Sequence, residues 1–437
     1  MAGGKGTRLT SITQDNIPKP MVNILGETLL EWQIENLKKY GINDICFVIG
    51  HLGEKIRSFF GDGSEFGIKA SYIEEKEPLG TAGAFYYLKD WIKEESFFLI
   101  YGDVFFNIEL NRMIDFHRVH NAKATLFVHP NSHPFDSDLV VVDSNSIVLG
   151  FDSKNNVRDY WYSNCVNAGF YLLDRSVCDC VRAPIKTDFE KEVLSSIIKE
   201  SDCVYAYRSS EYIKDIGTVE RITSTIKDIE DGFIDARCFA NKQKCIFLDR
   251  DGTINKYKGL LADIDEFELE DTVADAIRLI NHSEWLCIVI TNQPVVARGM
   301  CSINDVELIH KKLSTLLGEK GAYLDDLLFC PHHPANGYSG ENPMYKVKCH
   351  CRKPDVGMLE VCADRYNIDL SRSWIIGDTT IDLQTGVNAG MHKALVLTGE
   401  KGTDCKYSVE PDIEGDTLYE LVNKILVYKD DMRNEEL

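Results

Sequence analysis

Apolar residues recur along this chain with two alternating periods. Spacing of three to four predicts amphipathic helices over 28–40 and 82–91, and each is followed by a short apolar run, 44–49 and 96–101, that predicts a buried strand. Strands separated by helices predict βαβ units and a largely parallel sheet. Between 124 and 172 the runs become consecutive short strands, which predicts an antiparallel or mixed extension. Helical spacing returns over 189–199 and 219–231. A second cycle then begins with apolar runs at 244–248, 285–291, 373–377 and 392–397. The joint falls at 232–243, where one helix ends and no strand has started. The two cycles share architecture but no motif, so they are not repeats. The expectation is an α/β chain of two domains, 1–236 and 243–437.

Composition supports folded halves. The 437 residues exceed one ordinary core, and 44% hydrophobic with 27% charged residues is globular usage. The formal net charge of -21 excludes a nucleic-acid footprint, which collects Lys and Arg on one face. Any phosphate substrate must therefore meet local cations, metals or backbone amides. No run of about 18 apolar residues spans a bilayer and no charged-then-apolar leader is present, so a cytosolic, membrane-free protein is expected. Fourteen cysteines scattered through such a chain are expected to be reduced. Cys330, Cys349 and Cys351 stand out by their closeness to His332.

The chain opens Ala2-Gly3-Gly4-Lys5-Gly6-Thr7-Arg8, where glycines would let backbone N–H groups approach a triphosphate and Lys5 and Arg8 would offset its charge. It is neither a Walker A loop nor a dinucleotide fingerprint. Pro18-Lys19-Pro20-Met21, Gly80-Thr81-Ala82-Gly83, Gly102-Asp103, Asn167-Ala168-Gly169 and Asp215-Ile216-Gly217-Thr218 follow in order. Over 1–236 these motifs resemble the sugar-1-phosphate nucleotidyltransferases, particularly the mannose- and heptose-1-phosphate guanylyltransferase branch. The resemblance implies a Rossmann-like fold with a mixed sheet, and attack of a sugar-phosphate oxygen on a nucleotide α-phosphate. It implies Asp103 and Asp215 as magnesium carboxylates, with Arg8 and Lys19 on phosphates. Gly3, Gly4, Gly6 and Thr7 would cradle the triphosphate, Gly80, Thr81 and Gly83 would lie against base and sugar, and Asn167, Gly169 and Glu190 would meet sugar hydroxyls. In the family an apolar strand precedes the glycine loop. Here nothing precedes Met1, and the expectation is a late start that weakens the first site.

Phe247-Leu248-Asp249-Arg250-Asp251-Gly252-Thr253 places two carboxylates directly after an apolar strand. A carboxylate nucleophile divides phosphoester hydrolysis into two steps, and a second carboxyl can protonate the departing alkoxide. With Thr291-Asn292 and Gly377-Asp378 each ending a strand, Lys353, and Asp382, the segment resembles the haloacid dehalogenase superfamily. That implies Asp249 as nucleophile, Asp251 as general acid and base, and Thr291 and Lys353 on phosphoryl oxygens. Magnesium would be held by Asp249, the Asp251 carbonyl and Asp378, with Asp382 in support. Cys330-Pro331-His332 and Cys349-His350-Cys351 offer three thiolates and an imidazole, a closed structural zinc set. His333 and His350 compete for the nitrogen position, and His332 is the one the family spacing selects.

Cys349-His350-Cys351-Arg352-Lys353-Pro354, with Thr291-Asn292-Gln293 and Ala297-Arg298-Gly299, resembles the heptose 1,7-bisphosphate phosphatase branch over 243–400. Histidinol-phosphate phosphatases share the zinc loop and remain an alternative. Pro294-Val295 departs from the Ser-Gly usual in the heptose enzymes. Asn292, Arg298 and Arg352 are implied in substrate binding, Arg352 suiting the second phosphate because a guanidinium can grip phosphate bidentately. Removing the 7-phosphate of heptose 1,7-bisphosphate yields heptose 1-phosphate, the acceptor that the first half would convert, from GTP, to GDP-heptose. The expected partners are heptose phosphates and a nucleoside triphosphate. Two other readings stay open: a histidinol-type phosphatase with a hexose-1-phosphate nucleotidyltransferase, and an active phosphatase with a regulatory first half.

Overall fold

The computed structural model describes residues 1–4, 16–200 and 203–428, so Lys5, Gly6, Thr7 and Arg8 lie outside the described residues. Contacts group the chain into two compact units. One comprises Met1–His129, Asp138–Ser153 and Cys165–Ala240, the other Pro130–Ser137, Lys154–Asn164 and Asn241–Leu437. Among the described residues no helix is long and apolar enough to cross a membrane.

In the first unit the helix Leu29–Lys38 starts where Thr28 and Glu31 form a reciprocal capping box. The strand Asp44–Ile49 pairs in parallel with Lys69–Glu74. The strand Ser96–Ile100 pairs instead with Val166–Asp174, in a separate six-stranded sheet. That sheet is mixed, as expected: Val204–Arg208 runs parallel to Ala124–His129, and the other pairs are antiparallel. Phe170 and Leu172 join one apolar cluster and Tyr171 and Leu173 another, so the strand Val166–Asp174 reads as a continuous apolar run. Met1 and Ala2 link the two sheets. The Met1 ammonium donates to the Ile100 carbonyl, Ala2 N–H donates to Val48, and Gly102 N–H donates to Met1, each at 2.8 Å. Burial pushes the Met1 ammonium down to about 6.

The helix expected over 189–199 opens differently. Phe189–Leu194 is a π-helix, continued as the α-helix Ser195–Glu200. The wider turn lets two successive residues face inward, Phe189 onto Phe85 and Tyr171 and Glu190 onto tyrosine hydroxyls. Elsewhere in this unit Glu211, 3% exposed, accepts the Glu109 and Phe239 N–H groups at 2.7 and 3.0 Å and the Ser209 hydroxyl at 3.0 Å. Burial raises its carboxyl to about 7.

The second unit is built on a six-stranded, wholly parallel sheet. Its order is Asp326–Cys330, Trp285–Asn292, Lys244–Leu248, Trp374–Gly377, His392–Val396, Ile413–Gly415. The central strands are buried throughout, which explains their unbroken apolar sequence. Because Lys244–Leu248 lies between Trp285–Asn292 and Trp374–Gly377, residues 249, 291–293 and 378 emerge together at the carboxyl ends of three adjacent strands, where open α/β sheets bind ligands. Tyr162, from the earlier segment grouped with this unit, donates its N–H to the Thr315 hydroxyl at 3.0 Å.

Candidate active sites

The first constellation assembles at the end of Ser96–Ile100. Asp103 follows that strand, and Asp215 pairs with Val104 across the short ladder Tyr212–Asp215 with Val104–Asn107. Ile216 N–H donates to the Asp103 carbonyl at 2.7 Å, which fixes the two aspartates side by side. Lys19, carried by the turn Lys19–Met21, donates to Asp103 Oδ2 at 2.5 Å and to Asp215 Oδ1 at 3.4 Å. Arg221 donates to Asp215 Oδ2 at 2.7 Å. It was not among the sequence candidates, because one arginine in a helix's first turn reads as solvated surface. The aspartate side chains are 34% and 39% exposed. Two accessible carboxylates suit magnesium, which keeps water and substrate phosphate among its ligands.

Asn167, Gly169 and Glu190 come together, joined by two tyrosines that the motifs did not mark. Tyr101 and Tyr171 both donate to Glu190 Oε1, at 2.8 and 2.5 Å, and Asn167 Nδ2 donates to the Tyr171 hydroxyl at 2.8 Å. Burial, with Glu190 adding to it, holds both phenols well above their usual range, so they remain donors. Gly169 has φ of +70°, and a Cβ there would stand 2.7 Å from the Tyr101 ring. The faces of Gly80 and Gly83 are occupied by the chain itself. Their Cβ atoms would meet the Thr187 carbonyl at 2.4 Å and the Ile185 carbonyl at 2.3 Å. Thr81 accepts the Phe189 N–H at 2.7 Å, which ties this turn to the start of the π-helix. Gly3 lies against Gly50 and Glu75, and a Cβ on it would be 2.9 Å from Glu75 Oε2; Gly4 has open space around it.

In the second unit, Asp249 follows the central strand and accepts from Lys353 Nζ at 2.7 Å. Lys353 Nζ also donates to Asp382 Oδ1 at 2.6 Å. Asn292 fixes the lysine's backbone by exchanging two 3.0 Å hydrogen bonds with its N–H and carbonyl. Asp382 divides its oxygens: Oδ2 accepts the Thr379 hydroxyl at 2.6 Å and caps the helix Thr380–Ala389, while Oδ1 holds Lys353. Gly377 is required here, since its Cβ would stand 2.3 Å from Asp382. Asp378 is wholly buried between Gly252 and Gly399, whose Cβ atoms would stand 2.2 and 1.9 Å from its Oδ2. Its Oδ2 accepts the Glu400 N–H at 2.6 Å, and its Oδ1 is buried without a partner.

Asp249, Asp378 and Asp382 present oxygens within 4.8 Å of one another. Burial, with Asp249 and Asp382 nearby, raises the Asp378 carboxyl to about 8. Burial also raises Asp249, with Asp382 and Asp251 acting against the pull of Lys353. One lysine among three buried carboxylates leaves excess negative charge, and an orphaned Asp378 oxygen faces it. Hard oxygen donors in that state fit a magnesium ion. Gln293 bridges Asp251 Oδ2 at 2.8 Å and the buried Thr291 hydroxyl at 3.0 Å. The motif contains Gln293, but its residue type alone carried no role.

Cys330, His332, Cys349 and Cys351 also converge within 4.8 Å. The three sulfurs lie 3.2–3.5 Å apart, and His332 Nδ1 is 3.4 Å from Cys351 and 3.6 Å from Cys330. Three sulfurs and one imidazole at that spacing are a donor set that would fit one tetrahedral zinc ion. His333 and His350 are engaged elsewhere, His333 Nδ1 accepting Ala335 N–H and His350 Nε2 pairing with Glu360. No cysteine forms a disulfide. Arg352 donates to the His332 carbonyl at 3.1 Å, and the Arg298 guanidinium lies 4.4 Å over the Tyr338 ring. The loop closes onto Arg298 at Gly299, where φ is +70° and a Cβ would overlap the Gly340 carbonyl.

Comparison with known proteins finds a different family in each half of the chain. The nucleotidyl transferase family matches residues 1–232, and the HAD-hydrolase-like family matches 350–421. The D-glycero-beta-D-manno-heptose-1,7-bisphosphate 7-phosphatase of Escherichia coli K12 is 38% identical over 162 residues, 37% of this chain and 83% of that protein. The mannose-1-phosphate guanylyltransferase of Mycobacterium tuberculosis H37Rv is 29% identical over 233 residues, 53% of this chain and 64% of that protein. Among solved structures, HddC from Yersinia pseudotuberculosis aligns over 52% of this chain and 96% of its own, at 24% identity and a TM-score of 0.46.

Proposed function

Because the chain belongs to the nucleotidyl transferase family and, in its second half, to the family of heptose bisphosphate 7-phosphatases, we propose that it performs two consecutive steps of nucleotide-sugar synthesis. The phosphatase domain, 243–437, removes the 7-phosphate of heptose 1,7-bisphosphate. The transferase domain, 1–236, then joins the heptose 1-phosphate to GMP from GTP, giving GDP-heptose and pyrophosphate. The observation that carries this reading is the buried assembly of Asp249, Thr291, Lys353, Asp378 and Asp382 in a chain whose other half holds Lys19 between Asp103 and Asp215.

In the phosphatase, Asp249 Oδ attacks phosphorus while Lys353 and Thr291 hold the phosphoryl oxygens. Asp251 gives its proton to the departing sugar oxygen, then takes one from the water that hydrolyses the aspartyl phosphate. Magnesium bound by Asp249, Asp378 and the Asp251 carbonyl would offset the charge that otherwise opposes a negative nucleophile and a negative substrate. Arg352 and Arg298 receive the remaining phosphate. Cys330, His332, Cys349 and Cys351 would hold zinc, which would order the loop beside them.

In the transferase, Lys19 and Arg8 bind phosphates, Asp103 and Asp215 would hold magnesium, and Asn167, Gly169 and Glu190 orient the sugar. The reaction needs positioning and charge neutralisation more than covalent chemistry. The test incubates the chain with heptose 1,7-bisphosphate, or with heptose 1-phosphate, and each nucleoside triphosphate, following phosphate and pyrophosphate separately. Phosphate from the bisphosphate and pyrophosphate only with GTP are expected. Hydrolysis of histidinol phosphate in preference to the heptose ester, or pyrophosphate from hexose 1-phosphate alone, would overturn the reading.

A further inference from the structure

Arg250 lies between two carboxylates in sequence yet serves only the second. Its side chain is wholly buried. Nε and Nη2 donate to Asp251 Oδ1 at 3.1 and 2.8 Å, and Nη2 also reaches Oδ2 at 2.8 Å. Asp249 is engaged instead by Lys353. The remaining edge of the guanidinium meets no carboxylate: Nη1 lies 3.0 Å from Nε2 of His310. Since the guanidinium can only donate, that nitrogen must accept, which makes His310 a neutral imidazole with its proton on Nδ1. Burial and the adjacent arginine both lower the imidazole's proton affinity, in keeping with that tautomer.

A neutral partner adds nothing to charge balance. What it adds is orientation, because His310 stands on the separate helix Ile303–Glu319, its ring edge-on to Phe329 at 5.1 Å. Adjacent residues 250 and 251 could pair in several ways, but a planar guanidinium held at its far edge by a rigid element has one plane. Gln293 fixes Asp251 from the other side at 2.8 Å.

We propose that Arg250 and His310 are positioning residues that set where the Asp251 carboxyl stands when its proton passes to the sugar oxygen as the phosphorus–oxygen bond breaks. This rests on the reading of Asp251 as the acid and base.

The full chain, in excess over ester, is assayed for leaving-group release in single turnovers, because the later hydrolysis of the aspartyl phosphate uses Asp251 as base whichever ester was bound. The esters are heptose 1,7-bisphosphate, whose alkoxide must be protonated, and p-nitrophenyl phosphate, whose phenolate leaves without a proton. His310→Leu is expected to lower the maximal release rate from the sugar ester by about tenfold to a hundredfold, the scale of a misplaced catalytic group. The half-saturating concentration should hold, and release of p-nitrophenolate should stay within about threefold, far below the roughly hundredfold or more ascribed to general acid catalysis. His310→Gln, which restores an acceptor, should recover most of the loss, and it carries the test if the leucine variant does not fold. An equal fall on both esters, or no fall on either, overturns the proposal. Asp251→Asn is measured beside them. If it lowers both esters alike, the reading of Asp251 fails and the proposal with it; if it is selective for the sugar ester while the His310 variants are not, the proposal alone fails.

Discussion

Lys353 Nζ stands 2.7 Å from the Asp249 carboxylate, with 3% of the lysine side chain exposed. The same device occurs in the first unit, where Lys19 lies between Asp103 and Asp215. Each lysine holds two carboxylates, and the two differ in burial. In the second unit the three acids have no solvent to share their charge with, so the lysine is integral to the fold there as well as to the proposed chemistry.

Lys353→Ala should therefore act twice. Phosphate release should fall by at least about a hundredfold, as expected when a phosphoryl-holding cation is lost. Removing one partner of a buried ion pair should also cost roughly 3–5 kcal/mol of stability in the second unit. Denaturant unfolding beside the phosphate assay checks both, and an inactive variant of undiminished stability would contradict the buried-pair account.

The two activities should separate. Asp249→Asn should abolish phosphate release and leave transfer to supplied heptose 1-phosphate intact, and Asp103→Ala should do the reverse. Loss of both activities from either substitution in a folded chain would refute two independent sites.

Cys351→Ser should lower the zinc content toward zero and raise the phosphatase KM more than it lowers kcat, as expected of a proposed metal that would order the loop and touch no reacting atom. Elemental analysis decides the first part. Full occupancy in the variant would remove Cys351 from the ligand set.

Tyr171→Phe removes one of three donors to Glu190 Oε1, the others being Tyr101 and Asn167. Pyrophosphate assays should show a KM for the sugar phosphate several-fold higher, as the loss of one hydrogen bond to a charged group predicts, with the KM for nucleoside triphosphate unchanged. A rise in both would place the tyrosine in general packing.

Glu211 makes the stability of the first unit depend on pH. Burial raises its carboxyl from the ordinary 4.5 to about 7. Its contribution is thus fully present below about pH 4.5 and is lost as pH rises toward 7, a change on the order of 3 kcal/mol. Glu211→Gln should match the parent at pH 4 and exceed it at pH 8. Hydrogen exchange of the strand Val104–Asn107 measures this, and parallel pH profiles would disprove it.

How much of this was readable in the sequence follows from how local each feature is. Asp249 and Asp378 each sit directly after an apolar run, with Asp251 two residues beyond the first, so strand pattern and residue type together marked them. The Cys-x-His and Cys-x-Cys pairs named their own partners. Tyr101, Tyr171 and His310 were invisible because each lies on an apolar strand or helix face where an aromatic or buried histidine ordinarily means core, and their polar contacts cross 19 to 89 residues of chain. The π-helical turn at Phe189–Leu194 was read as regular helix, since one added residue hardly alters the apolar period over two turns. Pairing was the other gap: Ser96–Ile100 joined Val166–Asp174, a choice of neighbour that strand periodicity does not encode.

Asp382 gives one oxygen to the start of a helix and the other to Lys353. A lineage that no longer needed the hydrolase could not discard this carboxylate quietly, because the same substitution that silenced the chemistry would weaken the helix start it caps, by about 1 kcal/mol. Selection for solubility alone would keep the aspartate in place. Gly377, which has room for no side chain beside it, shares that fate. Retention of these two residues in descendants is accordingly weak testimony that hydrolysis persists, whereas retention of Thr291 and Arg352, which support no helix end, would be strong testimony.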